Sequence, residues 1–288
     1  MHVIDVMVNL LHFVQHSLDP MQFMHYDPSG ELDAIVIWHV DDALGTCSPD
    51  YPIDTLKSAF SWGSWVTAPE TIVFCGKEIL LMETGHIRLR QTDFLTNSST
   101  APRRLPAGRA DDPSPLAGQE LTEFRSIVGI LQWVAGQSRP DLSAGVSLSQ
   151  VETPSAAQLR TAYQLLSYAR STKEVGITLS PLNLKNLMII GYGDSSWANA
   201  EQSKTQIGGL VVFTEKDALF KSTHASICDW KSRRTQRVVR STLAGESIAC
   251  DTVIDISHVA SASMTEILYQ KRATAAARSS RSTTPNEE

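Results

Sequence analysis

The sequence is short of cysteine. Its 288 residues hold four, Cys47, Cys75, Cys228 and Cys250, with no CxxC pair and no histidine at zinc spacing. That argues against a disulfide framework and a zinc site, and makes a reducing compartment the default. Long apolar runs are missing too. The most apolar N-terminal stretch, Val3 to Leu18, is interrupted by Asp5, Asn9, His12 and His16. It lacks a basic leading segment and a small-residue cleavage site, so no signal peptide is expected. It is too short and too polar to span a bilayer. An intracellular chain with no membrane partner is the expectation. An excess of positive charge is absent as well: the net charge is −6. Any basic surface must therefore be local. No internal repeat is visible.

What is present is a globular composition, 42% apolar and 19% charged, in a chain long enough for two domains. Apolar spacing predicts an amphipathic helix over Val3–Leu18, then a strand from Met21 to Tyr26. Asp27-Pro-Ser-Gly30 is a turn, and Ala34 to Val40 a β-rich run. That run delivers Asp41 and Asp42 at its end, or at a turn just beyond it. Adjacent like charges repel. They suit either a solvated turn or a divalent cation that removes the repulsion. Residues 53–60 read as a short helix. Thr71–Leu81 and His86–Arg90 read as two strands, and Gln91–Leu95 as the start of a helix.

Residues 97–118 are rich in Ser, Thr, Pro, Gly and Ala and read as a linker, carrying Arg103, Arg104 and Arg109. Over residues 120–171 three helices are expected. Phe124, Ile127, Val128, Leu131 and Val134 line the first. Arg139-Pro140-Asp141 ends it, with Pro140 placed to open the second, and Pro154 opens the third. Val175–Leu179 returns to strand.

The stretch Leu187-Met-Ile-Ile-Gly-Tyr-Gly-Asp-Ser-Ser-Trp-Ala198 stands out. A buried strand over 187–192 is expected to run into Gly191 and Gly193, where the backbone can turn tightly and another group can approach. Asp194 follows. A carboxylate there needs compensation, either from a metal ion or from its own backbone as a turn cap. Further strands are expected over Ile207–Phe213 and Ala225–Trp230. The run Lys231 to Arg240 carries five cations, Lys231, Arg233, Arg234, Arg237 and Arg240. It is either a solvated face or a phosphate-binding segment. A long helix is expected from Ser241 to about Tyr269, and disorder over 271–288.

Taken in order, these segments resemble the C-terminal part of a copia-type retrotransposon Pol polyprotein. His39-Val-Asp-Asp42 resembles the reverse-transcriptase box at a palm hairpin, with His where many relatives carry an aromatic. Phe74-Cys-Gly-Lys-Glu-Ile79 and Ile87-Arg-Leu-Arg-Gln91 resemble the following strand pair. Phe124-Arg-Ser-Ile-Val-Gly129 and Arg139-Pro-Asp141 resemble thumb and connection helices. Gly191-Tyr-Gly-Asp-Ser-Ser-Trp197 resembles the first ribonuclease H strand. Asp229-Trp-Lys-Ser-Arg233 and Ser241-Thr-Leu-Ala-Gly-Glu246 resemble that domain's third strand and first helix.

The resemblance implies an α/β (α+β) chain. Residues 1–96 would be a partial palm, 97–118 a linker and 119–172 a helical thumb or connection. Residues 173–270 would be an incomplete ribonuclease H-like mixed sheet with one long helix, and 271–288 a disordered tail. It implies Asp41, Asp42, Asp194 and Glu246 as catalytic carboxylates, with Asp41, Asp194 and Glu246 as Mg²⁺ ligands. It implies Lys231, Arg233, Arg234, Arg237 and Arg240 as contacts to an RNA–DNA hybrid or other nucleic acid, and the rest of a Pol polyprotein as a partner. A two-metal site activates the attacking oxygen and stabilises the leaving one. The family also carries a palm Asp upstream of the box and a third ribonuclease H Asp on a later strand. Asp5 sits in a helical pattern and does not match the first, and Asp251 and Asp255 share the helical segment of Glu246 and do not replace the second. Two expectations follow: an enzyme with truncated metal sites, or a non-catalytic remnant that binds nucleic acid through Lys231–Arg240. An inert α/β module is the third reading, and it leaves the motif order unexplained.

Overall fold

A computed structural model describes residues 3–100, 105, 108–109, 112–200, 203–236 and 238–281, of which 270–281 by backbone alone. It divides into two compact units, Met1–Val66 with His258–Glu288, and Thr67–Ser257. The chain mixes helices with three sheets whose described strand pairs are all antiparallel. The expected mixed sheet is thus corrected to an antiparallel one.

In the first unit the helix expected to reach Leu18 is shorter. α1 (Val3–Asp5) passes into a π-helical turn, Val6–Leu10. His12 then adopts a left-handed φ of 58°, which reverses the chain. Val14–Gln15 becomes strand β1, paired with β2 (Gln22–Tyr26). β3 (Leu32–His39) and β4 (Asp42–Cys47) complete the sheet in the order β1-β2-β3-β4. The turn between β2 and β3 is held by Asp27, whose Oδ1 accepts the Ser29 hydroxyl and the N–H groups of Gly30 and Glu31. α2 (Ile53–Ala59) follows. Val6, Met7, Phe13, Phe23, Val36, Trp38 and Leu56 form the core of this unit. Burial, with Asp33 and Cys47 nearby, pushes the Tyr51 hydroxyl up to about 12.

The second unit opens with β5 (Ile72–Phe74), β6 (Lys77–Leu81) and β7 (Ile87–Arg90). The single strand expected over Thr71–Leu81 is therefore a hairpin. Cys75 and Gly76 both have positive φ, 49° and 70°, the geometry a two-residue hairpin turn requires. α3 (Thr92–Asn97) comes next. The three expected helices form as α4 (Gly118–Gln137), α5 (Ser143–Ser149) and α6 (Ala156–Ser171). Ser155 and Gln158 close a capping box at the start of α6. Ile127, Leu131, Val134, Leu159 and Leu166, each 0% exposed, form the densest core of the unit. β8 (Ile177–Leu179) pairs with β7.

β9 (Leu187–Ser196), β10 (Gln206–Glu215) and β11 (Ala225–Arg234) form a sheet ordered β11-β10-β9. β9 runs past 192 to Ser196, and β11 runs past Trp230 to Arg234, so both lie beyond the expected ends. α7 (Thr242–Arg281) continues past Tyr269. Its residues up to Ser257 belong to this unit, and those from His258 to the first. In the first unit, the Ser17 N–H and hydroxyl both donate to the Glu266 carboxylate, and the Tyr26 hydroxyl donates to the Ile267 carbonyl.

Candidate functional site

The geometry around Asp194 follows from the strand period of two. β9 pairs with β10 without a register shift: Ser195 faces Ile207, Asp194 faces Gly208 and Gly193 faces Gly209. Three side-by-side observations fix which face meets α7. A Cβ on Gly191 would run into Val253 Cγ1. One on Gly193 would lie 3.0 Å from the Ala249 carbonyl carbon. The Ser195 hydroxyl donates to Glu246 Oε1 at 2.8 Å. Residues 191, 193 and 195 therefore look at the helix. The two glycines do not turn the chain; they let α7 lie against an extended strand.

Alternation then sends Asp194 to the opposite face, where it is exposed. The expected pair is not brought together: Glu246 meets Ser195 instead. A hard dication needs several converging oxygens. Among the described residues no group of three or more His, Cys, Asp or Glu could hold a metal ion. Asp194 and Glu246 thus do not fit a shared Mg²⁺ site by themselves.

Asp41 and Asp42 lie in the first unit. Val40 and Asp41 are the two-residue connection between β3 and β4, and Asp42 pairs with His39. Both carboxylates are exposed. Val40 has a φ of 54°, an uncommon conformation for a β-branched residue and worth about 1–3 kcal/mol of strain. The hairpin therefore presents its two carboxylates at a strained tip rather than on an apolar strand.

The basic run is divided by the pleat. Arg233 Nη2 lies 3.4 Å from Thr252 Oγ1 on α7, so Lys231 and Arg233 share the helix-facing side. Trp230, Ser232 and Arg234 face α4 and α5. There Trp230 Nε1 donates to the Ala135 carbonyl at 2.8 Å. Ser232 Oγ accepts from Gln206 Nε2 at 2.8 Å, and Arg234 donates to the Gln150 carbonyl. Lys231, Arg233 and Arg240 are exposed. Arg237 lies outside the described residues, as do Arg103 and Arg104 of the linker. The described cations of β11 are thus divided between two faces, Lys231 and Arg233 on one and Arg234 on the other. At the start of the same strand, burial and then Asp229 push the Cys228 thiol up, which keeps it un-ionised.

Sequence reasoning read Arg139-Pro140-Asp141 as a helix break. It missed that Arg139 is buried, 0% exposed. Its guanidinium donates to both Asp141 oxygens, at 2.9 and 2.7 Å. It also reaches the Thr172 carbonyl at 3.0 Å and the Thr172 hydroxyl at 2.9 Å, at the end of α6. Burial opposes ionisation of Asp141, but the Arg139 hydrogen bond and charge outweigh it and hold that carboxyl below its ordinary value. An arginine two residues from an aspartate at a helix junction was the available signal.

No helix of the described residues is long and apolar enough to cross a membrane. No family model matches the chain, and no solved structure does. Among curated proteins, the retrovirus-related Pol polyprotein from transposon RE1 of Arabidopsis thaliana is 30% identical over 229 residues, 75% of this chain and 15% of that protein. The Pol polyprotein from transposon RE2 of the same plant is 30% identical over 224 residues, 72% of this chain and 14% of that protein. The chain therefore spans about one seventh of the length of these relatives. With that identity spread over some three quarters of its length, the chain belongs to the retrovirus-related Pol polyproteins of transposons.

Proposed function

We propose that the chain corresponds to the stretch of a copia-type Pol polyprotein where reverse transcriptase passes into ribonuclease H, and that alone it holds nucleic acid without cutting it. In this reading residues 1–96 are part of a palm, 97–118 a linker, 119–172 a thumb or connection, and 173–270 a partial ribonuclease H region with 271–288 as its tail. The Pol relatives and the ordered motifs support the placement. The observation that carries the lack of turnover is the pleat of β9, which gives Glu246 to Ser195 and turns Asp194 away. Losing convergent carboxylates in a two-metal site costs orders of magnitude in rate. Asp41 and Asp42 on one exposed turn supply adjacent rather than encircling oxygens, so Mg²⁺ binding there would need further ligands from the polyprotein.

Lys231, Arg233 and Arg240, the exposed cations, would meet phosphates. Each phosphate neutralised contributes to a salt slope of about −0.9 on duplex DNA, so three contacts imply a slope near −3. The test is a labelled RNA–DNA hybrid with the full chain, with and without Mg²⁺. Binding that weakens with salt and no cleavage are expected. Cleavage that is lost in Asp194→Asn or Glu246→Gln would overturn the proposal, and would mean that the two carboxylates act together.

A further inference from the structure

The outer edge of β11 lies in a groove of about 810 Å³. Helices α4 and α5 form one wall and α7 the other, all within the second unit. Among the described residues no strand pairs with this edge, because β11 ends the sheet. Its first residues are covered: Ser226 exchanges hydrogen bonds with Ser180. The part from Trp230 to Arg234 is not covered in this way.

The direction of the backbone groups can be read from two hydrogen bonds. The Thr235 N–H donates inward to the Thr205 carbonyl at 2.8 Å. The Trp230 N–H donates to its neighbour Asp229 Oδ1 at 2.7 Å rather than to β10. In an antiparallel ladder, alternate residues point to opposite sides. Lys231 and Arg233 therefore use their main chain on β10. Trp230 and Ser232 present main-chain groups to the groove, at a repeat of about 6.8 Å.

We infer that this edge is a docking site for an extended, acidic peptide segment that adds as a further strand. The chemistry favours a peptide over a nucleic acid at the edge itself. A polypeptide strand supplies both donors and acceptors in the required alternation, whereas a phosphate backbone only accepts and would set oxygen against the outward carbonyls. The lining side chains favour negative charge: Lys204, Lys231, Arg233 and Arg234 outnumber Asp251 and Asp255 by four to two. Asp229 fits as a guard, satisfying the Trp230 N–H until a strand replaces it. Sheet edges left without a paired strand are where other chains add. Exposed Lys231 and Arg233 remain able to contact phosphate as proposed above, so the two readings are tested separately.

The experiment titrates the full chain against a fluorescent peptide of four Glu-Val repeats and follows anisotropy. The same peptide with alternate backbone nitrogens methylated keeps its charge and loses its donors. Saturable binding of the first, at least tenfold weaker for the second, is expected. Ser232→Pro removes an outward N–H that β10 does not use, and Pro is tolerated there in an edge strand. It should reduce binding at least tenfold, whereas Ser232→Ala, which loses the same Gln206 contact and keeps the N–H, should bind as the unaltered chain does. Equal binding of both peptides would overturn the inference, as would no binding at millimolar peptide. If Ser232→Pro unfolds the chain, the methylated peptide on the unaltered protein still decides. Hybrid binding that persists while peptide binding fails would sink this inference and leave the nucleic-acid reading standing.

Discussion

The helical bundle and the β9–β11 sheet belong to one compact unit, yet they are held together differently. The bundle is closed by large side chains such as Ile127, Leu131, Leu159 and Leu166, with no exposed surface left on any of them. Its one buried charge, Arg139, is met by Asp141 and Thr172. On the face that carries Gly191 and Gly193 the sheet is covered by α7, and the buried cluster at that contact is Val211, Val253 and Ile256. Close approach replaces bulk there: Gly191, Gly193 and Gly209 leave room that a methyl group would fill. The bundle carries the stability, while the sheet carries the residues expected to act. Packing of the second kind gains less apolar burial and is more easily opened.

The strongest way to test this contrast is to empty each core. Ile127→Ala should cost about 3–4 kcal/mol, since the surrounding bundle cannot collapse around the cavity. Val253→Ala should cost about 1.5 kcal/mol, two methyl groups at roughly 0.8 each. Denaturant titration of both variants measures the ratio, and equal losses would break the comparison.

Asp141→Asn should come next, at about 3 kcal/mol, because it leaves the Arg139 guanidinium buried without its counter-charge. The same pair sets a pH dependence. Asp141 titrates below its ordinary value when folded, so its contribution is complete above the unfolded carboxylate value near 4. It is lost as pH falls through the lower folded value. Thermal melts between pH 2 and 7 should show an acid limb that is shallower in Asp141→Asn. An unchanged limb would mean that other carboxylates govern it.

Gly193→Ala should cost about 2 kcal/mol, because its methyl group meets the backbone of Ala249 and Cys250, at 3.0 and 3.2 Å. Gly191→Ala meets the Val253 side chain instead, so Val253→Ala should partly rescue it. A double-mutant cycle would give a coupling of about 1 kcal/mol, and additivity would show that the helix shifts rather than clashes. The smallest effect is expected from hydrogen exchange without any substitution. Amides at the start of α7 should exchange faster than those of α4 and α6, by local opening. Equal protection would mean that the sheet and bundle open as one.

Much of this arrangement is legible in the chain. The period of Phe124, Ile127, Leu131 and Val134 specified α4, and Pro140 and Pro154 marked the junctions that follow. Asp27 and Gly30 marked a turn that forms as read. Errors arose where local signals compete with pairing. Val14–Gln15 fits a helical spacing but pairs with Phe23 and Met24. Cys75-Gly76 interrupts a run whose apolar content reads as continuous. Of the candidate site, the residues could be named in advance, but their partners could not.

The sequence by itself placed Asp194 at the end of a glycine-bearing strand and Glu246 near the start of the helix following the basic run, in segments that resemble Pol motifs. Only the tertiary structure decided which way each side chain points. Strand side chains alternate, so a one-residue slip in pairing moves every group to the other face. That register lays Gly193 against Ala249, and Gly191, Gly209 and Val211 against Val253, contacts distant in sequence. They place Ser195 beside Glu246, set Asp194 apart, and divide Lys231 and Arg233 from Arg234.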